Sequence, residues 1–126
     1  MRTIIAGTRT ITDYKVVEQA VAESGISITE VVSGCARGVD TLGEMWAQLH
    51  QRPVARFPAD WKKHGKAAGF IRNAEMGDYA EALIAVTTGS PGTRNMIEYA
   101  KKKGLKVFVK TVGTPEEQLL RAIFGE

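Results

Sequence analysis

The sequence predicts a doubly wound α/β domain: a parallel sheet of about five strands with helices on both faces. Three observations carry this expectation. Short apolar, β-branched runs alternate with stretches of helical periodicity, the pattern of βαβ units. No internal repeat or linker divides the 126 residues, so one domain over 1–126 is expected. Three of the runs end in glycine-rich turns. With right-handed crossovers the common arrangement has strand order 3-2-1-4-5. That order brings the turns after strands one, two and four together at the switch point where such sheets bind ligands.

Strand one is read over about Arg2–Ala6, leading into Gly7-Thr8-Arg9. A helix follows from near Asp13, with Val16, Val17, Ala20 and Val21 inward, and exits at Ser24-Gly25. Strand two, about Ile28–Ser33, meets Gly34-Cys35-Ala36-Arg37-Gly38. The helix from Val39 to about His50 then presents Leu42, Met45, Trp46 and Leu49 as one apolar face. Strand three is about Pro53–Phe57. The long segment from Pro58 to Met76 exceeds the needs of a crossover, and such segments often wall a site. Its second half is expected to be a helix with Ala67, Ile71 and Ala74 inward. Strand four, Ala82–Thr87, runs into Gly89-Ser90-Pro91-Gly92-Thr93, and a helix from Gly92 to Lys103 closes at Gly104. Strand five is Lys106–Lys110. Thr114-Pro115-Glu116-Glu117 is a capping box that opens a last helix with Leu119, Leu120, Ile123 and Phe124 as its buried stripe.

The apolar runs are of strand length, so no membrane span is expected. The opening residues read as a strand rather than a signal peptide, and the single cysteine, Cys35, forms no internal disulfide; both favour the cytoplasm. Cys35 reads either as a small filler or as a thiol without a base beside it. The net charge of +3 admits anionic ligands without requiring nucleic acid. His64 reads as cationic surface beside Lys63 and Lys66, and no metal site is expected.

A glycine turn that opens a helix aims free backbone N–H groups at whatever occupies the turn. Gly92-Thr93 therefore predicts an anion site, with the N–H groups of Thr93, Arg94 and Asn95 and the Thr93 hydroxyl as donors. Gly7, Thr8, Gly34, Gly38, Gly89 and Ser90 would line the rest. Arg9 and Arg37 read as phosphate clamps or as solvated loop residues. Asp40 reads as a cap on its helix or as an acceptor for a ribose or for Arg72. Trp61 reads as a stacking surface or as loop packing. Tyr99 and Glu98 are assigned to an outer helix face, where Glu98 can pair with Lys102.

The ordered set Val32-Ser33-Gly34-Cys35-Ala36-Arg37-Gly38-Val39-Asp40-Thr41, Phe57-Pro58-Ala59-Asp60-Trp61 with His64-Gly65-Lys66-Ala67-Ala68-Gly69, Ile71-Arg72-Asn73-Ala74-Glu75-Met76 and Gly89-Ser90-Pro91-Gly92-Thr93 resembles the YspA-related branch of the SLOG superfamily. That superfamily also contains the Lonely Guy phosphoribohydrolases and the DNA-processing protein DprA. The resemblance implies a Rossmann-like sheet, a phosphate-bearing nucleotide or a nucleotide-derived ligand of NAD or ADP-ribose type, and a homodimer. No cofactor is implied. In the Lonely Guy enzymes an arginine and a glutamate cleave an N-glycosidic bond. Arg72 matches that arginine, with Asn73 in place of the usual lysine. The glutamate expected three residues after Thr93 is replaced by Met96, and Glu98 falls on a different helix face. Asp40 or Glu75 would have to serve as the acid. Ligand recognition as a sensor or processing domain is therefore the leading expectation. Nucleoside-monophosphate hydrolysis and single-stranded DNA binding of DprA type are the alternatives.

Overall fold

The computed structural model describes residues 1–113 and Ile123. β1 (Arg2–Gly7), β2 (Glu30–Ser33), β3 (Val54–Arg56), β4 (Ala82–Thr87) and β5 (Lys106–Thr111) form one parallel sheet in the order β3-β2-β1-β4-β5. This is the expected order, and it sets the carboxyl ends of β1, β2 and β4 side by side.

α1 (Tyr14–Ser24) begins where Asp13 accepts the Lys15 N–H at 3.0 Å and stops at left-handed Gly25. α1 and α2 (Val39–Leu49) cover one face of the sheet. There Ile5, Val31, Ile84 and Val86 meet Val17, Ala20, Leu42 and Trp46. On the other face Ile4, Ala6, Val32, Leu83 and Ala85 meet Met76 of α4 (Ala68–Tyr79) and Met96 and Ala100 of α5 (Pro91–Lys102). Successive residues of β1 and β4 serve opposite faces, as strand geometry requires, and β4 is buried along its whole length because both faces are covered.

Four sequence expectations need correction. On α2 only Leu42 and Trp46 of the four apolar residues turn inward. Met45 is 43% and Leu49 63% exposed, because the buried stripe instead uses Val39, Gly43 and Ala47. The segment after β3 is more ordered than a loop plus one helix: α3 (Trp61–His64) and a 3-10 turn (Gly65–Ala67) precede α4. The inward face of α4 is Ala68, Arg72, Asn73, Met76 and Gly77, while Ala67 is exposed and Ile71 and Ala74 are half-buried. Tyr99 packs half-buried beside α4, and its hydroxyl donates to Asp78 at 2.7 Å. The expected last helix lies outside the described residues except for Ile123, which is helical but exposed.

Candidate functional site

The turn after β1 is tied to both of its neighbours. Thr8 N–H donates to the Val86 carbonyl at 3.1 Å, and the Thr8 carbonyl accepts from Val39 N–H at 3.3 Å. Gly38, at φ 73°, lies so close that a Cβ there would stand 2.4 Å from the Thr8 carbonyl oxygen. The Thr8 hydroxyl sits among other hydroxyls: Thr88 and Ser90 at 3.3 Å and Thr87 at 3.4 Å, and it accepts the Thr88 N–H at 3.0 Å. Ser90 and Thr93 hydroxyls are 2.8 Å apart. Short polar side chains thus stitch the first and third turns together.

α5 starts one residue earlier than the sequence suggests, at Pro91, with Ser90 as its N-cap residue. The Arg94 N–H is therefore taken by the Ser90 carbonyl at 3.0 Å, and Asn95 lies within the helix. The donors left open by helix geometry are Gly92 and Thr93 N–H. The Ser90 side chain makes no capping bond to them.

Arg72 joins the second turn to the third. It is 9% exposed. Its Nη1 donates to the Gly34 carbonyl and its Nε to Asn73 Oδ1 at 3.2 Å. Asn73 in turn donates to the Gly92 carbonyl at 3.2 Å and to Asn95 Oδ1 at 3.0 Å. Arg72 Nη2 has no protein partner among the described residues, although the side chain is buried. A guanidinium held on two sides with one edge open is suited to an oxyanion.

Around this network lies a cavity of about 400 Å³, within the size range of small-molecule sites. A second lobe of about 310 Å³ adjoins it, and Arg9, Ala36, Trp61 and Arg72 line both. Of the expected ligand-binding residues, Gly7, Thr8, Arg9, Asp40, Arg72, Asn73, Ser90, Gly92 and Thr93 line the larger lobe. Gly34 and Arg37 line the smaller one. Gly38 and Gly89 shape the turns without lining either lobe, and Glu75 stands exposed away from both. Met96, in the position where the resemblance places an acid, is buried and lines the larger lobe. Phe70 and Lys66 also line it; sequence reading singled out neither for the site, because an exposed aromatic and a lysine look like surface.

Asp40 is buried at the start of α2 and accepts the Ala36 N–H at 3.2 Å. A Cβ on Gly34 would stand 2.7 Å from Asp40 Oδ2 and 2.8 Å from Arg72 Nη1, so acid and guanidinium flank that glycine. Burial pushes the Asp40 carboxyl above its usual range, while the Ala36 N–H and Arg72 pull it down. Cys35 is exposed rather than a filler, at φ 61°, and partial burial and the Glu44 carboxylate push its thiol above the usual range. Among the described residues no three His, Cys, Asp or Glu side chains gather as a metal site, and no helix is long and apolar enough to cross a membrane.

Residues 1–64 match the family YAcAr, described as the YspA, cpYpsA-related SLOG family. The Gene 61 protein of Mycobacterium phage D29 is 37% identical over 117 residues, covering 84% of this chain and 93% of that protein. The X-ray structure of DNA processing protein A (DprA) from Streptococcus pneumoniae superposes with a TM-score of 0.71 at 16% identity. That match covers 96% of this chain and 56% of the DprA chain. This chain thus spans just over half of DprA, and the likeness is one of fold.

Proposed function

We propose that this chain, which belongs to the YspA, cpYpsA-related SLOG family, binds a phosphate-bearing nucleotide or nucleotide-derived ligand as a sensor or processing domain. One observation carries the reading: the buried Arg72, with Nη2 free, shares a cavity with the open N–H groups of Gly92 and Thr93. Asp40 stands beside this cation without an ion pair to it, so part of the cost of burying the charge is left for an anionic ligand to offset. The phosphate would accept from the α5 N-terminus and Arg72, with Lys66 and Arg9 adding charge at the rim. The proposed assembly is a homodimer in the cytoplasm; light scattering that shows only monomer at high micromolar concentration excludes the dimer.

The test is a thermal-shift and calorimetric titration with AMP, ADP-ribose and NAD. A ligand at a hundred times its Kd adds about 2.7 kcal/mol of stability. Stabilisation of the parent by at least one of these probes, lost in Arg72→Ala, is the expected result. No binding at millimolar concentration overturns the reading.

A second reading, N-glycosidic hydrolysis, is favoured by Asp40, a buried acid with a raised pKa beside Arg72. It predicts release of free base from a nucleoside monophosphate, abolished by Asp40→Asn.

A further inference from the structure

Two aromatic side chains at the mouth of the larger lobe take no part in holding an anion. Trp61 is 52% and Phe70 55% exposed, and both line this cavity. Local structure fixes them there. Asp60 accepts the Lys63 N–H at 3.1 Å and so starts α3 at Trp61. Gly65 returns its N–H to the Trp61 carbonyl and ends the helix. Phe70 stands in the first turn of α4. Gly69 leaves the space between them open: a Cβ there would lie 3.7 Å from Trp61 Cη2 and 3.8 Å from Arg72 Nη2. The indole tip and the free edge of the guanidinium therefore border the same gap.

Among the described residues neither ring is stacked on another. The ring pairs among the described residues are Trp46 with His50 and Phe57 with Tyr79. Two unpaired aromatic faces at the mouth and a cationic, N–H-lined floor give one cavity two chemical ends.

We propose that Trp61 and Phe70 form the base site of this cavity, so that the ligand is one carrying a nucleobase and not a sugar phosphate alone. The proposal rests on the nucleotide reading above. The base lies against the aromatic rim, the sugar crosses Gly69, and the phosphate reaches Arg72 and the α5 N-terminus. Stacking on an aromatic face is tolerant of base identity, so these two residues select for a flat ring system and leave the choice of base to other contacts.

The experiment compares AMP with ribose 5-phosphate, which has the same anion and no base, on the parent, Trp61→Ala and Phe70→Ala. Intrinsic fluorescence and calorimetry are read together. The chain has two tryptophans, and Trp46 is buried, so a ligand-dependent change in emission that Trp61→Ala removes reports the rim. The expected result is AMP binding about fivefold to a hundredfold tighter than ribose 5-phosphate. Each variant should bring AMP toward the sugar phosphate while leaving the sugar phosphate within about twofold. Equal binding of the two probes by the parent, or equal weakening of both by the variants, overturns the base site and leaves phosphate binding intact. A change in assembly mass with Phe70→Ala and none in AMP affinity also overturns it, and marks the rim as a contact between copies. If neither probe binds the parent, the nucleotide reading itself fails and the base site with it.

Discussion

Arg72 donates through Nη1 to the carbonyl oxygen of Gly34, tying the helix before β4 to the turn after β2. This bond spans the topological switch point of the sheet. It joins the second and third turns into one wall, because the same guanidinium holds Asn73, and Asn73 holds Gly92 and Asn95. The site therefore depends on a network more than on any single turn.

Arg72→Ala removes two hydrogen bonds from a charged donor and leaves the Gly34 carbonyl without that donor. A hydrogen bond to a charged group contributes about 1.5–3 kcal/mol. We expect a fall in folding stability of that order in urea denaturation, with a lower midpoint and an unchanged m-value. Arg72→Lys should recover little, since an ammonium lacks the fork that reaches Gly34 and Asn73 together. A variant as stable as the parent would show that the network carries no folding energy.

Asp40→Asn separates charge from hydrogen bonding, since an amide oxygen still accepts the Ala36 N–H. The Asp40 pKa is raised on folding, chiefly by burial. The folded protein then holds the proton more tightly than the unfolded chain, so this stabilisation is complete below the unfolded pKa. It is lost as pH rises through the folded pKa. The stability of the parent relative to Asp40→Asn should therefore fall as pH rises from acid toward neutral. Thermal denaturation of both proteins over that range measures it, and a difference that grows with pH would mean that attraction to Arg72 outweighs burial.

The fold was legible because its signals are local and redundant. Val31-Val32 and Leu83-Ile84-Ala85-Val86 are strands by composition, Gly25 and Asp13 bound α1 by capping chemistry, and the turns mark the sheet's switch point. The site was less legible because α4 inverts the usual rule. It buries Arg72 and Asn73 and exposes Phe70, so apolar periodicity points to Ile71 and Ala74 instead. Only the partners of Arg72, from distant turns, explain that inversion. The start of α5 was misplaced by one residue because proline suits the first helical position as well as the loop before it; the open donors move with it.

Gly38→Ala tests whether the turns need their close approach. The residue has φ 73°, and an added Cβ would meet the Thr8 and Arg9 carbonyl oxygens at 2.4 and 2.5 Å. These are backbone atoms, so relief requires the whole Thr8 turn to move away from α2. Strain and overpacking together should cost at least about 2 kcal/mol, seen as a lower melting temperature. A variant that melts with the parent would show that the first turn is mobile relative to α2.

Gly92 gives the opposite case. Beyond its chain neighbours and its own helix backbone, a Cβ there meets no atom of the described residues within 4 Å, and the residue sits in the first turn of α5, where its conformation suits alanine. Gly92→Ala should therefore stabilise the folded protein by about 0.4–1 kcal/mol through the unfolded chain's lost freedom. The same methyl group would stand on the surface that a phosphate must approach to reach the Gly92 and Thr93 N–H groups. We expect affinity for AMP and for ribose 5-phosphate to fall together, with a larger loss for Gly92→Val, while the melting temperature of ligand-free Gly92→Ala rises. Opposite signs for stability and binding cannot come from a damaged fold. Unchanged affinity in both variants, measured by calorimetry, would remove the α5 N-terminus from the site and leave Arg72 as its anchor.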